Sequence, residues 1–327
     1  MKVSILIPCY NASKYIKGCI DSLLLQSMGD FEIVIVDDGS TDSSLEIIKS
    51  YSDKRIKLID LEKNVGITNA LNVGLRYCEG QFIARMDADD IALPYRLSKQ
   101  VDYLEKHPDY IAVGSSIINF DEFGNESLIP YPESNMDIIS NLFLFERTIC
   151  HPSVMFRRSI VTNSKLEYSK KYIHCEDLYF WYQLSKLGKL HNIQEPLIKY
   201  YRHTEQISSK YSDVQLYNTE RLLFDIYKDS DIEISKFTIR KLTKPSTANF
   251  INDSDIIDIK RHLTDLHISK EIVESTIRFK SMKFSTNFGK LAILKAIAKF
   301  VLFKRIGVLE RANLLFCFLK LKRVKNG

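Results

Sequence analysis

The sequence predicts an α/β protein, a Rossmann-like, mostly parallel sheet with helices on both faces, followed by a helical C-terminal region. Three observations carry that expectation. Short apolar runs alternate with helically spaced apolar residues from Val3 to His107, the pattern of parallel strands joined by crossover helices. Polar and acidic residues that folding alone does not ask for stand just after those runs. From about Asp213 the valine-rich runs stop and only helical spacing remains, as at Leu216, Leu222, Leu223 and Ile226.

Taken in order, Val3 to Ile7 reads as a first strand ended by Pro8, and a helix over about Lys14 to Gln26 follows from Tyr15, Ile16, Cys19, Ile20, Leu23 and Leu24. Phe31 to Val36 is a second strand, and Asp37 to Asp42 a turn into a helix over Ser43 to Ser50. Ile56 to Ile59 is a third strand, Asn64-Val65-Gly66 a loop, and Thr68 to Tyr77 a helix. Gln81 to Met86 is a fourth strand, which stops at three carboxylates, Asp87, Asp89 and Asp90. After Pro94 come a helix over Tyr95 to His107, a strand over Ile111 to Phe120, a turn at Asp121 to Asn125 and a helix over Asn135 to Phe145. His151 to Phe156 reads as a strand with His151 at its entrance, Leu178 to Leu187 as an aromatic helix stopped by Gly188, and Leu197 to Tyr201 as a last strand.

Composition narrows the class. An apolar fraction of 45% and a charged fraction of 27% over 327 residues describe a folded globular protein with length for one large domain or two modest ones. The six cysteines form no CxxC pair, so they read as packed thiols of a cytosolic protein rather than a disulfide framework or zinc site. Met1-Lys2 runs directly into the first strand, without the pattern of a secretory signal. The net charge of +5 conceals an asymmetry: residues 280–327 carry twelve Lys and Arg against the single acid Glu310. The remainder is an acidic body.

In a parallel α/β sheet the ligand lies at the carboxyl ends of the strands. Pro8, Tyr10 and Asn11, then Asp37 and Asp38, then Asn64 and Gly66, then Asp87 and Asp89 all fall at that edge. Helix caps could account for any one of these clusters but not for their common placement. The GxGxxG and GxxxxGK phosphate cradles are absent after the first strand. Phosphates are then neutralised otherwise, and a divalent ion, Mg2+ or Mn2+, held by Asp87 and Asp89 suits such oxygen ligands.

Val3 to Asn11, Val36 to Asp42, Asn64-Val65-Gly66 with Ala70 and Asn72, and Met86 to Asp90 together resemble the family 2 glycosyltransferases, enzymes of GT-A fold, over roughly residues 1–205. The resemblance implies a nucleotide-sugar, commonly UDP-linked, across these strand ends. Pro8 and Tyr10 would line the uracil pocket with Asn11 and Gly66 beside them, Asp38 would accept from the uracil N–H, and Asn64 would hold the nucleoside. Asp89 would bind the metal, with Asp87 on the ribose or metal. Leu71 departs from the family, many members of which carry Arg there. The family's Glu-Asp pair at a helix start, some ninety residues on, corresponds to Glu176-Asp177, with Asp177 88 positions after Asp89. Asp177 would be the general base and Glu176 a supporting or acceptor-binding group. Tyr200-Tyr201-Arg202-His203 resembles the closing motif, whose histidine often completes the metal or diphosphate site; His203 would join the metal there, and Arg202 would bind the donor, an arginine suiting phosphate or carboxylate pairing. His151 is a further candidate on the acceptor side.

The resulting expectation is a catalytic domain over 1–210, with a nucleotide-sugar half over about 1–110 and an acceptor half over 111–210, then a helical domain over 211–327. Thr204 to Ser212 is polar enough for a lid. Leu291 to Phe303, interrupted by Lys295 and Lys299 and followed by Lys304, Arg305, Lys320, Lys322 and Arg323, suits an interfacial helix on an anionic membrane surface rather than a spanning one. Its aliphatic character argues against nucleic acid. The function implied is an inverting, metal-dependent, non-processive hexosyltransferase using a UDP-sugar and a glycan or lipid-linked acceptor. It would serve bacterial surface polysaccharide synthesis (O-antigen, capsule or lipooligosaccharide), similar to β-1,3-galactosyl- and N-acetylgalactosaminyltransferases, and act at the inner face of the cell membrane. A sugar nucleotidyltransferase and a non-catalytic membrane-docked binding module are the alternatives.

Overall fold

The computed structural model describes residues 1–203, 212–230 and 236–243. Its first half alternates β1 (Val3–Cys9), α1 (Ile16–Leu24), β2 (Phe31–Asp37), α2 (Ser44–Lys49), β3 (Ile56–Asp60), α3 (Ile67–Tyr77) and β4 (Phe82–Arg85). The four strands lie in the order β3-β2-β1-β4 and are parallel throughout. Strands β1 and β2 are buried at every position, as expected of strands covered on both faces. The alternation of side chains divides β1 between two helical layers. Val3, Ile5, Ile7 and Cys9 pack with Ile16, Cys19, Ile20 and Leu23 of α1. Leu6 turns the other way, toward α3, where a Cβ on Gly74 would stand 2.1 Å from Leu6 Cδ1 and 2.9 Å from Val36 Cγ2. Only glycine lets α3 lie this close to the sheet.

The second half is mixed. It comprises β5 (Ile91–Ala92), α4 (Arg96–Lys106), β6 (Tyr110–Asp121), β7 (Glu126–Ile129), α5 (Asn135–Leu144), a 3₁₀ turn at His151–Ser153, β8 (Met155–Arg157), α6 (Arg158–Asn163), α7 (Glu176–Ser185) and β9 (Lys189–Arg202). Strand β8 runs antiparallel between β4 and β6, β9 is parallel to β6, and β5 pairs antiparallel with β9. The expected parallel arrangement therefore holds across the first four strands, and the continuation of the sheet reverses direction at β8.

Two differences from the sequence reading have local causes. Pro152, which lacks an N–H, sits in the 3₁₀ turn at His151–Ser153, and the strand expected from His151 begins only at Met155. Strand β9 begins at Lys189 rather than Leu197, because its polar first half pairs with the buried β6 through irregular register near Ser115 and Ser116.

Helices α8 (Ser212–Asp229) and α9 (Lys236–Thr243) belong to the same compact unit as the sheet, Met1–Thr243. The sequence reading ends the catalytic domain at 210. Leu222, Leu223, Ile226 and Tyr227 of α8 are buried, and the Tyr227 hydroxyl donates to the carbonyl of Phe143 in α5 at 2.9 Å. Among the described residues no helix is long and apolar enough to cross a membrane. The expected lid over Thr204 to Ser212 and the basic tail with Leu291 to Phe303 lie outside the described residues, apart from the backbone of Ser212 at the start of α8.

Candidate active site

Parallel register aligns the strand ends. Cys9 of β1 lies opposite Asp37 of β2, which lies opposite Asp60 of β3, and β4 ends with Arg85 opposite Leu6. Pro8 is held within buried β1, whereas Tyr10 just beyond is 49% exposed. Asn11 takes a left-handed backbone, φ +50°. Its N–H donates to Ser40 Oγ at 3.0 Å and its Oδ1 accepts from the Thr41 N–H at 2.8 Å. Asp38 is buried, with Oδ1 accepting from the Val65 N–H at 2.7 Å and Oδ2 from the Gly66 N–H at 2.9 Å. Asp38 thus ties the end of β2 to the loop before α3, although each oxygen retains a second lone pair. Gly39, at φ +67°, allows this closure, because a Cβ there would meet the Lys63 carbonyl carbon at 2.6 Å. Asn64 is exposed, and Gly66, at φ +87°, starts α3.

Just after β4, Asp87, Asp89 and Asp90 bring carboxylate oxygens within 4.8 Å of one another. The pairing of β5 with β9, Ile91 opposite Lys199, carries the end of β9 to this turn. There the Tyr201 N–H donates to Asp90 Oδ1 at 3.0 Å, and His203 Nε2 lies 3.0 Å from Asp89 Oδ2. The rings of Tyr15 and Tyr201 lie 5.3 and 5.2 Å from the His203 ring and fix its plane. Burial, reinforced by the neighbouring Asp87 charge, raises the pKa of Asp89 and holds that of Asp90 well above the usual carboxylate range. Arg202 alternates to the face of β9 opposite Tyr201 and His203. It is exposed, in register with Asp121, and is not gathered with the cluster.

A charged residue that the sequence reading passed over lies behind the cluster. Arg85, 2% exposed, grips Asp87 with two nitrogens, Nη1 to Oδ2 at 2.6 Å and Nη2 to Oδ1 at 2.5 Å. Its charge is also felt by Asp177, Glu176, Tyr168 and His151, so the acidic cluster and the Glu176-Asp177 turn share one guanidinium. An arginine next to last in an otherwise apolar strand was the available signal. Tyr168 was missed as well. It stacks on Phe180 with centroids 4.3 Å apart, and its backbone N–H and C=O both bond the Asn72 side chain at 2.8 Å. His151 Nε2 lies 3.0 Å from the Tyr168 hydroxyl, and its ring meets Trp181 edge-on at 5.7 Å. Burial drives the pKa of His151 well down, which favours its neutral form.

Glu176 and Asp177 open α7, where acidic groups suit the helix dipole. Burial lifts Glu176 to about 7, with the adjacent Asp177 charge adding to it, and Glu176 Oε2 is buried without a hydrogen-bond partner. Asp177 is also raised by burial, against the pull of the Leu178 N–H and the Arg85 charge. A carboxylate with a raised pKa is a stronger base than a solvated one.

The acidic turn fits a divalent cation. Its oxygens are close, two of its three carboxyls are pushed up by burial and mutual charge, and Asp90 Oδ2 is buried without a partner. Arg85 already pairs with both oxygens of Asp87, so the donors left for an ion are Asp89 and His203, here bonded to each other, and the unpartnered Asp90 Oδ2.

Comparison with known proteins agrees with this geometry. The model of the family described as "Glycosyl transferase family 2" matches residues 4–163. An uncharacterized glycosyltransferase of Haemophilus influenzae is 37% identical over 65% of this chain and 69% of its own length. The amylovoran biosynthesis glycosyltransferase AmsE of Erwinia amylovora is 34% identical over 67% of this chain and 86% of its own length. Among solved structures, S. aureus TarS residues 1–349 in complex with UDP-GlcNAc superimposes with a TM-score of 0.62 at 20% identity, covering 90% of this chain and 89% of that one. That likeness covers more of the chain than the family match does. Fold and sequence lead to one conclusion: the chain is a glycosyltransferase and belongs to glycosyl transferase family 2.

Proposed function

We propose that the chain is an inverting, divalent-metal-dependent, non-processive transferase. It moves a hexose or N-acetylhexosamine from a UDP-sugar to a glycan or lipid-linked acceptor in bacterial surface polysaccharide synthesis. The observation that carries this reading is the buried Arg85, which pairs with Asp87 on one side and acts on Asp177 on the other. This supports reading the acidic turn, as the donor side, and the Asp177 carboxylate, as the base, as parts of one site. The UDP-GlcNAc named with TarS and the amylovoran biosynthesis named with AmsE support the donor and pathway class.

In this reading Asp38, Tyr10, Pro8, Asn11, Asn64 and Gly66 border the nucleoside, Asp87 faces the ribose or metal, and Asp89 and His203 hold Mg2+ or Mn2+. An ion held there would supply positive charge to offset that developing on the departing diphosphate. Asp177 takes the proton of the acceptor hydroxyl as its oxygen attacks the anomeric carbon. The C–O bond to the nucleoside diphosphate breaks on the opposite face, which inverts the configuration. Holding both substrates about Arg85 supplies the orientation. The basic tail over 280–327, with its segment Leu291 to Phe303, would dock the enzyme peripherally on the cytoplasmic face of the membrane, near lipid-linked acceptors.

The test is UDP release from a panel of UDP-sugars with Mn2+, acceptor present, in wild type and Asp177→Asn. Loss of the base is expected to lower transfer by about 10²–10⁴-fold. Preserved turnover in the variant removes the base assignment, and pyrophosphate as product replaces the transferase with a nucleotidyltransferase.

A further inference from the structure

We propose that α8, which lies wholly beyond the family match, positions the base: Gln215 and Asn218 clamp the backbone immediately before α7 and so set where Asp177 points. This rests on Asp177 being the base. Gln215 Nε2 donates to the His174 carbonyl at 2.8 Å, and Asn218 Nδ2 donates to the Ile173 carbonyl at 2.9 Å. The clamped turn is a strained one, because His174 stands at φ +67°, a conformation that side chains other than glycine rarely hold without support. Two residues later Glu176 begins α7.

The contacts continue along one stripe of α8. Asp225 accepts from Tyr172 Oη at 2.7 Å and from Lys171 Nζ at 2.6 Å. Asp229 accepts from Tyr182 Oη at 2.6 Å and also from Lys186. Residues 215, 218, 219, 222, 226 and 229 recur at three- and four-residue spacing, so one face of the helix grips both the turn before α7 and α7 itself. A helix present only to bury apolar surface needs Leu222, Leu223 and Ile226. It does not need two side-chain amides aimed at consecutive carbonyls of a strained turn.

The test uses the full chain carrying Gln215→Met, Asn218→Leu and both together, which keep volume but remove the donors. Four quantities are read: transfer kcat, donor KM, acceptor-free UDP release from the UDP-sugar, and amide hydrogen exchange over 173–178. The double variant is expected to lose about tenfold or more in transfer kcat, with donor KM and acceptor-free release within about twofold, and to exchange faster at that turn. Adding His174→Gly is expected to recover part of the transfer, because glycine holds a positive φ without support. Unchanged transfer overturns the proposal, as does an equal fall in transfer and acceptor-free release together with a lowered melting temperature, the sign of a purely structural helix. If the double variant does not fold, Gln215→Met alone is scored by the same criteria, since Gln215 is only half-buried. Asp177→Asn run alongside separates the two readings. If it stays active, the base assignment fails and the clamp with it. If it is inactive while the α8 variants transfer normally, the clamp alone fails.

Discussion

The first half of the sheet, which the proposed function makes the donor half, and the second, which it makes the acceptor half, are held by different forces. In the donor half β1 and β2 are fully buried, their register with β3 and β4 is unbroken, and the apolar residues of α1 and α3 fill both faces. In the acceptor half the β6 and β9 register shifts three times, and Phe145, Lys165 and His174 hold positive φ, against Asn11 alone among non-glycine residues of the donor half. Single polar side chains do the joining there: Asn72 to Tyr168, Asn192 to the Pro132 and Thr148 carbonyls, Gln215 and Asn218 to the turn before α7. Apolar burial is distributed and tolerant, whereas a buried amide that loses its partner leaves the full desolvation cost. The donor edge is therefore a rigid ledge, and the base side is an assembly in which one side chain can decide geometry.

The sharpest break falls where the halves meet at the acidic turn. Asp89→Ala removes a carboxylate that sits 3.0 Å from His203 Nε2 and is expected to lower transfer by at least about 10³-fold, close to 4 kcal/mol of transition-state stabilisation. The check is single-turnover transfer with titrated Mn2+, with thermal unfolding to show that the fold survives. Activity retained at saturating Mn2+ would remove Asp89 from the metal site.

Arg85 comes next, because it belongs to both halves. Arg85→Met leaves Asp87 without the guanidinium that neutralises it. Breaking a buried pair from one side is expected to cost about 3 kcal/mol of stability, measured by urea unfolding. Transfer should fall as well, since the Asp87 carboxylate loses its orientation. Arg85→Lys is expected to recover part of the stability but little of the transfer, because an ammonium cannot make the two-pronged contact. A variant as stable and active as wild type would separate the halves again.

Glu176 tests the acceptor half alone. Its pKa is lifted from the ordinary 4.5 to about 7 by burial and the Asp177 charge, so the folded chain binds this proton more tightly than the unfolded chain. Its contribution to stability is present below pH 4.5 and is lost as pH rises to about 7. A shift of this size corresponds to roughly 3 kcal/mol over that window. Unfolding free energies between pH 4 and 8 should show wild type losing more than Glu176→Gln by about that amount, and parallel pH curves would remove the claim.

The same contrast explains what could be read from sequence. In the donor half periodicity marks each strand and the strand-end rule marks Pro8, Tyr10, Asp38, Asn64, Asp87 and Asp89, because local pattern and tertiary position coincide in a parallel sheet. The pairing of β5 with β9 brings His203 to Asp89 across 114 residues, and only the resemblance to a family anticipated it. Arg85 was read as part of an apolar strand, although a buried cation there calls for a partner and Asp87 stands two residues on. Tyr168, Gln215 and Asn218 carry no local signature at all, because Gln215 and Asn218 each act through one hydrogen bond to a distant backbone and Tyr168 is held through its own backbone by the distant Asn72 side chain.

The smallest effect is expected at Arg202, and it sharpens the boundary between the halves. The sequence reading puts this arginine among the donor-binding residues, suited to phosphate or carboxylate pairing, but strand alternation puts it on the opposite face of β9 from His203, exposed and beside Asp121. An exposed arginine at a rim contributes little beyond a screened, long-range attraction for an anion. Arg202→Ala is therefore expected to change kcat by less than about twofold and to raise donor KM by no more than about threefold, with the increase vanishing at high salt. Steady-state kinetics at two ionic strengths measure this directly. A salt-independent fall of tenfold or more would mean that the end of β9 turns over when donor binds, carrying Arg202 to the side where His203 now stands.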